Sequence, residues 1–455
     1  MAINRRDFLR LGATGAALGT MAPLMQNPFF TRSLQAAMMQ DTSKKMLLIF
    51  LRGGCDGVNM VIPQGDTANY NDGPDSRPTL FIDPASSHEI TTYCHLHPNF
   101  SKMVLDVPSE DVALIHRVAY AGQSRSHFDS QQFWENAQPG SSVNQGWVNS
   151  LIGEMSFDDS VTPIPAASVG GNLQVLFRGS TTLPHITNLS QYSLDSLGIA
   201  EKILGALPGA EDSPEYGAGL LGVYSREADA RTFDDMTRGQ GLALASSLSG
   251  LAALNPATYV PEGGATYPTI AAPEGFPTGS LNFFRDLKQA VMLLKLTDCR
   301  VAGVELGGFD THVSQAGNYA NLMRTISHGI SAVYRDTSAT SGVWDDLAVV
   351  TMSEFGRTSA ENGSNGTDHG EGSCMIVAGG GVVGGAYNCD ATTWGSNAMF
   401  GAAGRYVSMR TDYRTILAEL VDKHFGQGDV LDDVIPGWTG LNGTQFDELG
   451  FIETV

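Results

Sequence analysis

Five short runs of apolar residues limit the fold of this chain more than any other feature. The first run, 46–51, contains no polar residue and ends just before Gly53-Gly54. A run of this length without polar alternation is typical of a strand that is buried on both faces, as in a parallel sheet. The other four runs lie at 112–115, 301–306, 347–352 and 375–378. Together they predict the strands of a central, mostly parallel sheet.

Helical patterns lie between several of these runs, at 128–137, 281–297, 315–335 and 411–425. In the last segment, Ile416, Leu417, Leu420 and Val421 share one face at helical periodicity. Strands that alternate with helices predict a three-layer α/β/α fold, here formed by residues 38–455. The segment 186–250 is rich in Ala, Leu, Ser and Gly, and 254–280 is rich in Pro and Gly. We interpret 186–280 as a helical insertion followed by a long surface loop.

The charge and the apolar content exclude two classes of protein. The chain has 27 Lys and Arg residues against 48 Asp and Glu residues, a net charge of −21. This field repels polyanions, so we expect no nucleic-acid partner. With 42% hydrophobic and 16% charged residues, the chain is too apolar to be disordered. An anionic substrate stays possible, because a bound metal ion can invert the charge of one pocket.

The first 37 residues predict an export signal. Asn4-Arg5-Arg6-Asp7-Phe8-Leu9-Arg10 resembles the twin-arginine pattern, and an uncharged stretch follows it. Glycines and Pro23 in that stretch suit a removable signal better than a permanent membrane span, with cleavage expected near Ala36-Ala37. The resemblance implies the twin-arginine export machinery as a partner and a periplasmic or extracellular location. The alternative is an amphipathic first helix.

Carboxylates and histidines follow the predicted strands, where ligands bind in parallel α/β sheets. Asp56 follows the first strand, and Asp310 and His312 follow the third. Glu354 ends the fourth, and His369 lies in a Gly-rich loop before the fifth. Carboxylate oxygen and imidazole nitrogen suit zinc, manganese or iron. For Asp56 an ordinary Asp-Gly turn is the equal alternative, and for Glu354 the alternative is a surface ion pair with Arg357, which does not explain its strand-end position. For Asp310, His312 and His369 we favour a ligand role over a turn or a solvated loop.

Two further groups are candidates for catalysis. Arg357 lies three residues after Glu354 and has the geometry to bind an oxyanion, unless the two form an ordinary ion pair. Ser124-Arg125-Ser126-His127 opens the helix that follows the second strand. A helix N-terminus favours an attacking hydroxyl or a bound oxyanion, but Ser126 has an equally simple interpretation as the N-cap. The Gly-x-Ser-x-Gly pattern of a Ser-His-Asp hydrolase does not occur at this position.

As a set, these motifs resemble the exported bacterial family of unknown function numbered 1501 (DUF1501), which belongs to the alkaline phosphatase/sulfatase-like superfamily. The motifs that carry the resemblance are Arg52-Gly53-Gly54-Cys55-Asp56-Gly57, Ser124-Arg125-Ser126-His127-Phe128, Gly308-Phe309-Asp310-Thr311-His312, Ser353-Glu354-Phe355-Gly356-Arg357 and Gly366-Thr367-Asp368-His369-Gly370. They span most of residues 46–425 in order.

The resemblance implies an alkaline phosphatase-like fold with one or two divalent ions, such as zinc, manganese or calcium. By position, it implies metal ligands at Asp56, Asp310, His312, Glu354 and His369. It also implies Ser126 as nucleophile, with Ser124 as the rival. The chain departs from the superfamily where Phe355 follows Glu354, because Phe cannot bind a metal. Either His127 or Asp368 then replaces the missing ligand, or the site holds one ion, or catalysis has been lost.

Three functions follow from this interpretation. The first is an exported, metal-dependent hydrolase of phosphate or sulfate esters, acting on an anionic small molecule or polysaccharide with Ser126, His127 and Arg357 as catalytic residues. The second is a non-catalytic exported binding or assembly protein that retains the fold. The third, an oxidoreductase, has little support, because the dinucleotide-binding and haem-attachment motifs are absent.

Overall fold

The computed structural model describes residues 43–71, 77–155, 157, 164–191, 251, 254–270, 275–395, 397–401 and 404–453. The predicted export signal and residues 192–250 of the predicted insertion lie outside the described residues.

Within the described residues, nine strands form one large sheet and three form a small one. The strands are β1 (Lys45–Arg52), β2 (Val61–Ile62), β3 (His88–Glu89), β4 (His95–Leu96), β5 (Val112–Ala119), β6 (Ala166–Val169), β7 (His185–Ile186), β8 (Val301–Gly307), β9 (Leu347–Met352), β10 (Ser373–Ala378), β11 (Gly385–Tyr387) and β12 (Thr411–Asp412). The α-helices are α1 (Gly57–Met60), α2 (Ser101–Asp106), α3 (His127–Asn136), α4 (Trp147–Glu154), α5 (Thr278–Leu296), α6 (Gln315–Ser338), α7 (Tyr413–Glu419) and α8 (Leu431–Val434).

The large sheet has the order β11-β5-β10-β9-β1-β8-β6-β7, with β12 beside β5. Strand β10 pairs antiparallel with β5 and β9, whereas the other pairings of this sheet are parallel. The prediction of a mostly parallel sheet is therefore confirmed. Because β10 runs against its neighbours, its N-terminal end lies at the edge where the other strands have their carboxyl ends.

Strand β1 shows why the first apolar run lacks polar residues. Its alternate side chains enter two separate cores on opposite faces of the sheet. Leu47, Ile49 and Leu51 pack in the core that contains residues of α5 and α6, and Met46, Leu48 and Phe50 pack in the core that contains residues of α3, α4 and α7. Helices thus cover both faces, which gives the three-layer α/β/α arrangement that the sequence predicts.

Part of the predicted insertion loop is described, and residues 254–270 form turns against α6. The hydroxyl groups of Tyr259 and Tyr267 donate to the buried carboxylate of Asp336, at 2.8 and 3.0 Å. Buried polar groups that are fully paired hold a segment in one position, so these bonds fix the loop on the helix.

None of the helices in the described part of the chain combines the length and the apolarity that a membrane span requires.

Candidate metal centre

The polar segments predicted from the sequence meet at one edge of the large sheet. Strands β8, β1 and β9 are neighbours, and their carboxyl ends lead to Asp310, Gly53 and Glu354. The reversed strand β10 adds the loop that contains His369, which precedes its first residue. Strand β5 continues through a loop into α3, whose first residue is His127. This edge is where parallel α/β sheets bind their ligands.

Gly53 and Gly54 allow these segments to approach one another closely. Both have positive φ angles, 120° and 77°. A Cβ atom on Gly53 would lie 2.4 Å from the backbone nitrogen of Asp310, and one on Gly54 would lie 2.4 Å from the ring of Phe355. Any side chain at either position would therefore push the strand ends apart.

The Oδ1 atom of Asp310 is the point at which three histidines converge. The Nε2 atom of His312 lies 3.0 Å from it, that of His369 3.2 Å, and that of His127 3.5 Å. The Nε2 atoms of His312 and His369 are themselves only 3.0 Å apart. We call Asp310, His127, His312 and His369 the His/Asp cluster.

The second nitrogen of each of these histidines faces an oxygen that only accepts hydrogen bonds. Nδ1 of His127 lies 2.8 Å from a Glu354 carboxylate oxygen, and Nδ1 of His312 lies 3.1 Å from one of Asp368. Nδ1 of His369 lies 2.8 Å from the carbonyl oxygen of Arg125. Each Nδ1 therefore carries a proton, and in a neutral imidazole each Nε2 is left as a lone pair.

Three lone pairs directed at one carboxylate repel one another unless a cation lies between them. Nε2 of His127 is buried and has no hydrogen-bond partner, which is costly for a polar atom in this position. The ligand atoms of His127, Asp310 and His369 all lie within 4.8 Å of one another. Nitrogen and oxygen ligands with their outer hydrogen bonds in place are a donor set that suits a divalent ion such as zinc.

The electrostatics of the His/Asp cluster favour ionised carboxylates. Burial opposes the charge of Asp310, but hydrogen bonding and attraction from Arg357 lower its pKa to about 2. For Glu354, burial likewise acts against ionisation, and hydrogen bonds from His127, Gln131 and the Gly53 backbone hold the pKa below its usual value. The hydrogen bond to Glu354 raises the pKa of His127, whereas burial lowers the pKa of His369.

The ring of Phe355 packs against two imidazoles of the His/Asp cluster. Its buried ring lies 4.9 Å from the ring of His127 and 4.8 Å from that of His369, centroid to centroid. The sequence left open how a site with Phe at this position would replace the missing ligand. In the structure, His127 joins the cluster from α3, and Phe355 supports its ring.

Glu354 takes a different place from the one that the resemblance implied. Its side chain is fully buried, and Oε1 accepts hydrogen bonds from Gly53 N, His127 Nδ1 and Gln131 Nε2, at 2.8, 2.8 and 3.0 Å. The structure thus places Glu354 behind His127, where it orients the imidazole instead of forming part of the cluster.

Arg357 lies behind Asp310 and is not open to a substrate. Its buried guanidinium donates to backbone carbonyls of Gly54 and Phe309, at 2.7 and 2.8 Å, and to Oδ1 of Asp310 at 2.7 Å. It also donates to the carbonyls of Gly53 and Thr367. With these donors in use, Arg357 positions Asp310 and has no free edge with which to bind an oxyanion.

The structure does not bring Asp56 into the cluster. Its side chain is completely buried and forms a two-bond ion pair with Arg77, at 2.7 and 3.1 Å, and it also accepts from Gln315 at 2.5 Å. Sequence analysis missed Arg77, because nothing in the local spacing indicates that it folds back onto Asp56. This pair ties the loop after β1 to residues 358–359, whose carbonyls accept the remaining Arg77 bonds.

Ser126 forms the N-cap of α3, directly before His127. Its Oγ atom accepts from the Asp129 backbone at 3.4 Å, which is a long bond. Ser124 Oγ accepts from the backbone nitrogen of Ser126 at 3.2 Å. Ser126 is half-buried and directly precedes His127 of the cluster in sequence. Because its oxygen accepts in the capping bond, that bond does not use its hydroxyl proton.

Comparison with known proteins gives a partial assignment. Residues 287–435 match the family model described as "Protein of unknown function (DUF1501)". This part of the chain is DUF1501-like. The matched segment is less than half of the chain, but it contains Asp310, His312, Glu354 and His369 of the candidate centre. No curated protein matches the sequence.

Among solved structures, the chain is similar to the PH0037 protein from Pyrococcus horikoshii, with 13% sequence identity and a TM-score of 0.29. The similarity covers 86% of this chain and 97% of that one. At this TM-score the similarity supports no conclusion about fold or function.

Proposed function

We propose that the chain is an exported, metal-dependent hydrolase of phosphate or sulfate esters, and that it belongs as a whole to the DUF1501 family. The observation that carries the proposal is the convergence of three Nε2 atoms on Asp310, with each Nδ1 atom held by a separate acceptor. When bound there, a divalent ion such as zinc or manganese would supply Lewis acidity towards the ester.

The charges around the cluster support a role for such an ion. Arg125 pairs with Glu371 at 3.2 Å, and Arg405 pairs with Asp368 at 2.9 Å. Arg357 is committed to Asp310. The nearby arginines are thus already paired, so an ester anion entering this acidic chain needs positive charge from another source.

Ser126 is the nucleophile of this proposal. It begins the helix that supplies His127, where free backbone N–H groups and the positive end of the helix dipole favour an oxyanion. Its long capping bond costs little to break, so the hydroxyl oxygen can turn towards an ester. Glu354 and Asp368 keep His127 and His312 in the tautomer that presents Nε2 to the cluster.

The test combines metal analysis with an activity panel on the full-length, folded protein. We expect stoichiometric divalent metal and metal-dependent turnover of at least one phosphate or sulfate ester. His369→Ala should lose both, whereas His185→Ala should lose neither, because His185 bonds to the carbonyl of Gly170 instead.

Two outcomes would count against this proposal in different ways. Metal binding without turnover would favour the second function, a non-catalytic exported binding or assembly protein that retains the centre. Retention of full metal content in His369→Ala would exclude the His/Asp cluster as the metal centre.

A further inference from the structure

A groove adjoins the His/Asp cluster and shares Asp310 with it. The groove has a volume of about 320 Å³ and lies between the end of β8 and the first turns of α5 and α6. Asp310 and Thr311 line it, so whatever occupies the groove lies next to the cluster. This volume is at the lower end of the about 300–1,000 Å³ that is typical of small-molecule sites.

The groove contains polar groups but little charge. Among its described lining residues, Asp310 carries the one formal charge, and Arg357 already pairs with it. None of the described residues that line the groove is a lysine, arginine or histidine, so a second anionic group of a ligand would find no partner among them. In a chain with a net charge of −21, such a group would be repelled.

The remaining walls combine amides with apolar surface. Asn318 is exposed, and Asn321 uses its Oδ1 atom to accept from Arg324 at 3.2 Å. Side-chain amides both donate and accept, as hydroxyl groups do. Val313, whose exposed fraction is 61%, and Leu322 provide apolar contact in the same groove. Hydroxyl groups around an apolar ring face match this combination.

We propose that this groove binds the uncharged, hydroxyl-bearing part of the substrate, a group of the size of one sugar ring, next to the ester that the cluster holds. The assignment rests on the proposed hydrolase function for its role, but the binding itself is testable without turnover.

Two glycines in the walls allow the groove to be filled. A Cβ atom on Gly279 or on Gly307 would meet no other atom within 4 Å, and neither glycine has a positive φ angle. A side chain can therefore begin at either position without a clash, and because both glycines line the groove, we expect leucine there to reduce its volume. Gly317 is equally open but does not line the groove, so Gly317→Leu is the matched control.

The experiment titrates the full-length protein with methyl glucoside and with glucuronate, observed by saturation-transfer NMR. We expect methyl glucoside to bind more tightly than glucuronate. Gly279→Leu and Gly307→Leu should weaken its binding about tenfold or more, and Gly317→Leu should leave it unchanged. Circular dichroism establishes that each variant is folded. The two filling substitutions lie on different elements, Gly279 in α5 and Gly307 at the end of β8.

The possible results separate this proposal from the hydrolase function. Absence of methyl glucoside binding, tighter binding of glucuronate, or wild-type binding by both filling variants would overturn the groove assignment. Suppose that sugar binding depends on Gly279 and Gly307, but that neither 4-nitrophenyl phosphate nor 4-nitrophenyl sulfate shows metal-dependent turnover. That result would support the groove as a sugar site and contradict the hydrolase function. Turnover of either ester without sugar binding would overturn the groove alone.

Discussion

Glu354 holds His127 by a hydrogen bond of 2.8 Å between Oε1 and Nδ1, although the two residues come from different layers of the fold. The carboxylate is completely buried at the end of β9, and the imidazole is the first residue of α3. This bond fixes the tautomer and the ring orientation of the histidine, so its Nε2 atom points at Asp310. The candidate centre therefore depends on residues that do not themselves face its interior.

The first prediction concerns these orienting carboxylates. Glu354→Gln should weaken divalent metal binding about 10–100-fold, because the buried charge that favours the Nδ1 proton of His127 is removed. Asp368→Asn should have a smaller effect, since the Asp368 side chain is 40% exposed and water can replace it. Competitive titration with a chelator measures both affinities.

Glu361→Gln is the control for this pair, because Glu361 bonds to Thr79 and not to a histidine. Wild-type affinity in Glu354→Gln, or a larger effect in Asp368→Asn, would contradict the expected order.

The second prediction concerns the nucleophile. Ser126→Ala should reduce kcat by several orders of magnitude while metal content stays stoichiometric. The loss of the N-cap should cost only about 0.5–1 kcal/mol of stability, because the capping bond is long. Steady-state kinetics with the best ester of the panel, together with thermal unfolding, measures the two effects separately.

Ser124→Ala is the matched variant in the same loop and should retain most of the turnover. Undiminished kcat in Ser126→Ala would show that this hydroxyl is not the attacking group.

The third prediction assigns a structural role to the buried ion pair. Arg77→Met leaves the Asp56 carboxylate buried without its cation and should lower the free energy of unfolding by about 3–5 kcal/mol. Lys423→Met removes a partly exposed partner of Asp422 and should cost at most about 1 kcal/mol. Urea denaturation measures both changes.

Folded Arg77→Met should still bind metal with the stoichiometry of the wild type, because Asp56 and Arg77 lie outside the His/Asp cluster. Loss of the ion without loss of stability would instead place Asp56 among the ligands.

The fourth prediction follows from a buried histidine away from the cluster. Burial lowers the pKa of His97 from 6.5 to about 4. Between these pH values the unfolded chain binds more protons than the folded one, so the free energy of unfolding decreases as the pH falls through this window. The contribution of His97 reaches at most about 3 kcal/mol.

His97→Asn retains an acceptor for the Asn99 backbone and should show a shallower loss of stability between pH 6.5 and pH 4. Because other groups titrate in the same range, the quantity to compare is the difference between variant and wild type in urea denaturation at each pH. An identical slope in both proteins would be inconsistent with a buried neutral His97.

The central strands were predictable because their burial is visible in the chain itself. Strands β1 and β9 lie in the middle of the sheet with both faces covered, and each consists mainly of consecutive apolar residues. Strands β6 and β7 have four and two residues and lie at one side of the sheet, so they leave no comparable pattern. The reversed direction of β10 depends on how the preceding loop is placed, which apolar runs do not encode.

The candidate centre was partly predictable for a related reason. Asp310, His312 and His369 follow or precede strands that meet at one edge, so strand-end position was enough to group them. His127 was predicted as a catalytic residue, or alternatively as one of two replacements for the missing ligand, and only the folded position of α3 brings it to Asp310. For Asp56, local spacing does not predict the ion pair with Arg77, because tertiary packing alone specifies ion pairs between separate segments.

The place of β10 between β5 and β9 has a consequence for synthesis of the chain. Both neighbours are made earlier, so the gap between them cannot close until β10 has left the ribosome. His369 lies a few residues before that strand, so the last imidazole arrives together with the segment that closes the gap between β5 and β9. A chain that ends before β10 lacks the full donor set, and possession of the ion would therefore mark the molecules in which β5 and β9 are joined through β10.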